Sequence, residues 1–212
     1  MRYQVGGSLK HDDSTYVFPQ ADEQLYAWLK AGNFCYVLYY HQTGKSSLLH
    51  QTIHRLEKED YKCVYLDTAL LGGKQTTSIQ WYKALIVSLF YKLNLTKRVD
   101  FQNWWEQQSE LDPVQKLHKF IEQVLLKEVK NNRIFIFIDN INSLLSLNFS
   151  INDFFIWIYH CYNQQAYNPN LKRLGFALSG VASPSNLVAD KHRTPFKIGQ
   201  AIELNDFQLH EE

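Results

Sequence analysis

This chain lacks an excess of either positive or negative residues. Across 212 residues, 22 Lys and Arg stand against 21 Asp and Glu, a formal net charge of +1, and no long basic run occurs. Electrostatic capture of a phosphate backbone needs a clustered positive face, so no nucleic-acid partner is expected. Long apolar runs are missing too. Nothing approaches the ~20 consecutive apolar residues of a membrane span, and Met1-Arg2-Tyr3-Gln4-Val5-Gly6-Gly7 lacks the apolar core of a secretion signal. These absences predict a cytoplasmic protein with no membrane contact. Cysteine is scarce: Cys35, Cys63 and Cys161 form no C-x-x-C and have no histidine at ligand spacing. That fits buried thiols in a reducing compartment and argues against a structural metal.

What is present is an apolar fraction of 45%, rich in Phe and Tyr, which is ample for a buried core. Residues 1–212 are accordingly expected to form one domain, with the N-terminal segment 1–30 packing on the core. Short continuous apolar runs at Phe34 to Leu38, Cys63 to Leu66, Ile134 to Ile138 and Leu174 to Leu178, with a weaker one at Ala201 to Leu204, predict strands covered on both faces. Helical patterns lie between them. One carries Trp81, Tyr82, Leu85, Ile86, Leu89, Phe90 and Leu93 behind Ser78 as a cap; another starts at Asp112-Pro113, with Gln115 placed to complete a capping box, and continues through Leu125. A third, aromatic on most sides, spans Asn152 to Tyr162. This alternation predicts an α/β fold with a parallel sheet, and ligands of such sheets bind at the carboxyl ends of strands.

Gly44-Lys45-Ser46-Ser47 follows the first apolar run and opens a stretch whose Leu48, Leu49, Ile53 and Leu56 keep a helical apolar face. Strand, loop and helix in that order make a phosphate-binding P-loop. Backbone N–H groups and the helix dipole face the phosphates, the lysine reaches the terminal phosphates and the hydroxyl holds Mg²⁺. Lys45 and Ser46 are placed for those two tasks. The first glycine of the full pattern is absent, since Tyr39 stands there.

The strand-end rule singles out two further residues. Asp139 closes the Ile134–Ile138 run, where a carboxylate would hold Mg²⁺ opposite Ser46; otherwise it caps the turn that follows. Ser179 ends the Leu174 run and is a candidate sensor of the terminal phosphate, or a turn serine before Gly180.

With these motifs placed, the chain resembles the AAA-like domain of bacterial STAND-type P-loop NTPases. The matching stretches are Tyr3 to Leu9, Ala21 to Tyr26, Gln42 to Leu49, and Thr194 to Gly199 leading to Ala201 to Leu204. The resemblance implies an ASCE/RecA-like P-loop NTPase: a three-layer sandwich around a mainly parallel central sheet, here with the lid subdomain absent because the chain stops at Leu209-His210-Glu211-Glu212. It also implies that a missing first glycine is ordinary, and that ATP and Mg²⁺ are the cofactors. The phosphate cradle is then Gln42, Thr43, Gly44, Lys45, Ser46, Ser47 and Ser179, with Ser46 and Asp139 on the metal. Similar domains carry Asp-Glu-x-Asp after the third strand, the glutamate activating water, whereas here the residues are Asp139-Asn140-Ile141-Asn142. An amide cannot accept a proton, and loss of a positioned base typically costs roughly 10²- to 10⁴-fold in rate.

The expected function is an ATP-binding switch with weak or no hydrolysis, part of a bacterial signalling or defence system with a protein partner or effector. The competing expectation is a degenerate P-loop domain serving as an interaction or scaffold module, with Trp104-Trp105 as possible anchors. A small nucleotide kinase would want an arginine-rich lid segment, which the chain lacks. His50 and His54, four apart on a helix face, are surface positions on this reading rather than metal ligands.

Overall fold

The computed structural model describes residues 19–39, 44–130 and 132–204. Strands β1 (Cys35–Leu38), β2 (Lys62–Asp67), β3 (Ile134–Asp139), β4 (Leu174–Gly180) and β5 (Gln200–Ala201) form one sheet in the order β2-β3-β4-β1-β5. Every adjacent pair is parallel. The apolar runs found in the sequence are these strands. β5 is shorter than the Ala201–Leu204 run suggested, but Ile202 N–H still donates to Tyr36 O at 2.8 Å, so the chain continues alongside β1.

Two helices cover one face of the sheet, α1 (Pro19–Lys30) and α2 (Lys45–Glu57). The other face carries α3 (Ser78–Lys92), α4 (Phe101–Glu106), α5 (Pro113–Lys119) and α7 (Asn152–Asn163). Between α5 and the short α6 (Leu126–Glu128), residues Phe120–Leu125 wind as a π-helix; α8 (Pro184–Leu187) follows β4. This is an α/β three-layer arrangement. Side chains on β3 show the layering directly, because strand neighbours point to opposite faces. Ile134, Ile136 and Ile138 join the core under α3, α5 and α7. Phe135 and Phe137 join the core under α1 and α2, with Leu25, Leu29, Leu48, Leu49 and Leu56. All six β3 positions are buried, the reason a run with no polar alternation is tolerated there.

The capping box at Asp112 and Gln115 is present, with Gln115 accepting from Asp112 N–H at 3.1 Å. For α3 the cap is Thr77, not Ser78: its hydroxyl accepts from Gln80 N–H and Gln80 returns the bond, a reciprocal pair that Ser78, one residue later, cannot make. The helix expected from Asp112 to Leu125 is continuous in winding but loosens into the π segment. Ala21, Leu25 and Leu29 of α1 are buried with Phe135 and Phe137 of β3, while residues 1–18 lie outside the described residues. Arg133 clamps α1 to the sheet: its guanidinium donates to Lys30 O at 2.6 Å and Leu29 O at 3.0 Å and lies 4.9 Å from the Phe135 ring centre.

Trp104 and Trp105 pack on their own domain. Trp104 meets Phe120 edge-on at 5.5 Å, and Trp105 sits beneath the ammonium groups of Lys116 and Lys83 at 4.7 and 5.1 Å. Among the described residues, no helix is long and apolar enough to cross a membrane.

Gly175 of β4 sets how closely Phe135 can pack, since a Cβ there would lie 2.5 Å from Phe135 Cδ1. Gly175→Ala is expected to destabilise the fold by about 1–3 kcal/mol through overpacking. Adding Phe135→Leu should give a double variant less destabilised than the sum of the two single changes, measured by urea unfolding.

Candidate nucleotide site

β1 ends at Leu38 and the chain re-enters a helix at Lys45, with Gly44 as cap in the left-handed region, φ 75° and ψ 12°. A glycine adopts that conformation without the strain a Cβ would add. Gly44 has no side chain with which to cap α2, and no acidic residue lies in the first turn of the helix; a helix start of this kind directs N–H groups and the positive end of the dipole toward the loop before it. Lys45 and Ser47 are buried. Gln42 and Thr43, which the sequence assigns to the same cradle, lie outside the described residues, as do Tyr40 and His41.

The sheet brings three polar side chains level with that turn. Val37 of β1 pairs with Ser179 of β4, Ile138 of β3 pairs with Leu178 one step earlier, and Asp139 pairs with Asp67 of β2. The carboxyl ends therefore read Val37, Ser179, Asp139 and Asp67 across the sheet. Alternation along each strand puts the last three on the face that carries α2.

Asp139 is the hub. It is 1% exposed, and its Oδ2 accepts from Ser46 Oγ at 2.6 Å and from Tyr65 OH at 2.8 Å, while Oδ1 accepts from Asn140 N–H at 2.8 Å. Ser46 and Asp139, separated by 93 residues of sequence, are thus in direct contact. A hydroxyl and a carboxylate oxygen facing each other are the donor types a hard divalent cation such as Mg²⁺ takes. Ser179 is fully buried, and its Oγ finds no hydrogen-bond partner among the described residues. A buried, unbonded hydroxyl costs free energy unless something else satisfies it, which fits a polar ligand above β4.

Electrostatics follow from burial. Desolvation lowers the Lys45 ammonium below the usual lysine range, with the negative charge of Asp139 pulling the other way. Burial, then Asp139, pushes the Tyr65 hydroxyl up, so it stays a neutral donor. Tyr65 also stacks on His50 with ring centres 4.5 Å apart. That places His50 against an aromatic ring, and no group of three or more metal-ligating side chains occurs among the described residues.

A second set of residues was not anticipated. Thr68 Oγ1 lies 3.0 Å from Asp139 O, 2.8 Å from Asn140 O and 2.9 Å from Ser143 Oγ, fastening the end of β2 to the turn after β3. Asp67 Oδ1 accepts from Ala69 N–H and from Asn140 Nδ2, both at 3.0 Å. Asn140 itself takes a left-handed backbone, φ 57°. The signal for Asp67 was available, because the Cys63–Leu66 run closes on an aspartate as the Ile134–Ile138 run does. No comparable signal marks Tyr65, whose place depends on which face of β2 meets α2.

The family model for the AAA-like domain matches residues 4–212. An uncharacterized WD repeat-containing protein of Synechocystis sp. is 44% identical over 209 residues, which is 99% of this chain and 18% of that protein. The chain therefore corresponds to about a fifth of the relative's length. Among solved structures, the Walker-type ATPase PABY2304 of Pyrococcus abyssi superimposes with a TM-score of 0.58 at 14% identity, over 91% of this chain and 54% of that one. The Aeropyrum pernix ORC2 protein, solved with ADPNP and ADP, gives 0.58 at 14%, over 93% and 51%; the ORC1 protein of the same organism, solved with DNA, gives 0.60 at 13%, over 93% and 47%. At such identities these likenesses bear on the fold alone, and the fold they share is that of P-loop NTPases. Sheet order, glycine-capped α2 and a family match over nearly its whole length agree: the chain belongs to the AAA-like domain family.

Proposed function

We propose that residues 1–212 form one ATP-binding switch domain of STAND type, with weak intrinsic hydrolysis, working in a signalling or defence system. The observation that carries this reading is the 2.6 Å bond between Ser46 and Asp139. It sets a helix-N-terminal hydroxyl against a buried carboxylate beside Lys45, which is how a P-loop and a strand-end acid meet around a metal. In this reading Lys45 lies on the β- and γ-phosphates, and Ser46 and Asp139 hold Mg²⁺. Backbone amides of Gln42, Thr43, Gly44, Ser46 and Ser47 surround the phosphates, and Ser179 faces the terminal one. Bound Mg²⁺ would neutralise phosphate charge, while the chain's residues orient the triphosphate and exclude water. Hydrolysis is weak because Asn140 stands where similar domains carry glutamate, the sense in which the acidic motif is degenerate.

The Synechocystis relative suggests that modules of this kind are joined to WD repeats, a protein-binding architecture, so the partner we assign is a protein effector. Scattered charge at net +1 supports no nucleic-acid partner. Burial raises the thiols of Cys35 and Cys63 to about 12, which suits reduced cysteines and a cytoplasmic location.

A second reading draws on Asp139 Oδ2 already accepting from both Ser46 and Tyr65, a network satisfied by the protein's own hydroxyls. Under it, the domain keeps the fold as an interaction module without nucleotide turnover. Mg-ATP should raise the melting temperature under the first reading and leave it unmoved under the second. By titration calorimetry, Lys45→Ala should weaken Mg-ATP binding roughly 10- to 150-fold, the loss of a charge-assisted contact of about 1.5–3 kcal/mol. Equal affinities for the two proteins would remove Lys45 from this role. Asp139→Asn should abolish the gain in ATP affinity that Mg²⁺ gives the wild type over an EDTA control; an unchanged gain would remove Asp139 from the metal.

A further inference from the structure

The turn after β3 holds an acid and an amide in contact, with the acid on the neighbouring strand. Asn140 Nδ2 donates to Asp67 Oδ1 at 3.0 Å, and the same oxygen accepts from Ala69 N–H. Both bonds fall on Oδ1, so Oδ2 of Asp67 makes no bond among the described residues. Asp67 is level with Asp139 in the sheet ladder, on the same face as α2 by strand alternation, and only partly buried. With the Asn140 Nδ2 group committed to Asp67, the acceptor of its side chain is Oδ1. The pair thus offers two acceptors, one an amide oxygen and one a carboxylate oxygen, beside the metal-facing Asp139.

We infer that Asp67 is the general base of a slow ATP hydrolysis and that Asn140 positions the water it activates. This rests on the nucleotide-binding reading above. The water oxygen forms a bond to the γ-phosphorus, and the bond from that phosphorus to the β–γ bridging oxygen breaks, its electron pair leaving on ADP. The proton lost by the water passes to the Asp67 carboxylate and from there to solvent. Asn140 accepts a hydrogen bond from the water and takes no proton. Thr68 and the left-handed backbone at Asn140 keep the two side chains in register. Turnover is slow in this arrangement because the carboxylate acts from a neighbouring strand rather than from the residue after Asp139.

Asp67→Asn is nearly isosteric and keeps an acceptor for Ala69 N–H, so it tests charge rather than shape; Asp67→Ser, run alongside, keeps a short cap acceptor and removes the carboxylate. Each variant and the wild type are compared for phosphate release, for binding of Mg²⁺ with adenylyl imidodiphosphate, and for binding of ADP with aluminium fluoride, which mimics the transferring phosphoryl group. Both variants should lose turnover roughly 100-fold or more. Both should bind the imidodiphosphate within about twofold of wild type and bind ADP–aluminium fluoride markedly more weakly. Adding Asn140→Asp to Asp67→Asn exchanges acid and amide and should recover turnover and fluoride-complex affinity together. Turnover within about threefold of wild type, or imidodiphosphate affinity falling in parallel with it, overturns the assignment. So does a wild type that binds the imidodiphosphate yet releases phosphate no faster than Lys45→Ala, with the nucleotide site itself left standing. A wild type that binds neither complex removes the nucleotide reading and this inference with it.

Discussion

One hydrogen bond, from Ser46 at the start of α2 to Asp139 at the end of β3, fixes the relation between the two halves of the site. The two residues are not on adjacent strands. β4 lies between β1 and β3, so the turn at Gly44 must bring α2 back over the top of β4 for the hydroxyl to reach the carboxylate. That crossing places Ser179 of β4 under the turn and leaves its hydroxyl buried. The backbone is tied at the same level by Tyr39 N–H donating to Gly180 O at 3.1 Å. A side chain at Gly180 could not be added without moving the turn after β3, since a Cβ would meet Ile141 Cγ1 at 2.7 Å and Ile141 N at 3.2 Å. Position of the acid, closure of β1 onto β4 and approach of α2 are therefore one geometric problem with one solution.

The residue after Asp139 illustrates how local backbone and chemistry are linked. Asn140 sits in the left-handed region, which asparagine tolerates better than longer side chains, and its amide reaches sideways to Asp67. A glutamate here would meet a backbone penalty of about 1–2 kcal/mol unless the turn changed, and would place a second carboxylate against Asp67. The amide at Asn140 and the carboxylate at Asp67 thus suit each other. Reading Asn140 alone, as a glutamate that was lost, misses that the adjacent strand carries an acid in contact with it.

Much of this was legible in the chain, for identifiable reasons. Four apolar runs became strands because a buried parallel strand needs no polar alternation, and the helix behind Lys45 announced itself through Leu48, Leu49 and Leu56. Asp139 could be singled out because an aspartate ending such a run is a polar group at a fixed place in the fold. The same logic applied to Asp67, but the second run was read only as far as Leu66. Thr68 and Tyr65 were not legible, since their roles depend on contacts across strands that spacing does not encode. Thr77 was displaced by its neighbour Ser78 because two adjacent hydroxyls both satisfy a cap pattern, and only the position of Gln80 three residues after Thr77 separates them. The π segment at Phe120–Leu125 left no trace, as every residue in it is also a plausible α-helical one.

Charge balance shows why such a site would favour a phosphate ligand. Burial lowers the Lys45 ammonium below the usual lysine range, with Asp139 pulling the other way. Two carboxylates, Asp139 and Asp67, lie along the same strand-end row, and both hydrogen-bond inward to the protein. An incoming triphosphate would add negative charge next to the ammonium and so favour its charged form, but would repel Asp139 unless a divalent cation came with it. A metal placed between Ser46 and Asp139 would exchange their mutual hydrogen bond for two metal–oxygen bonds, leaving the carboxylate paired. In the proposed reading, triphosphate and cation would each be less favourable alone than together, a mutual dependence that would rest on the three side chains Lys45, Ser46 and Asp139.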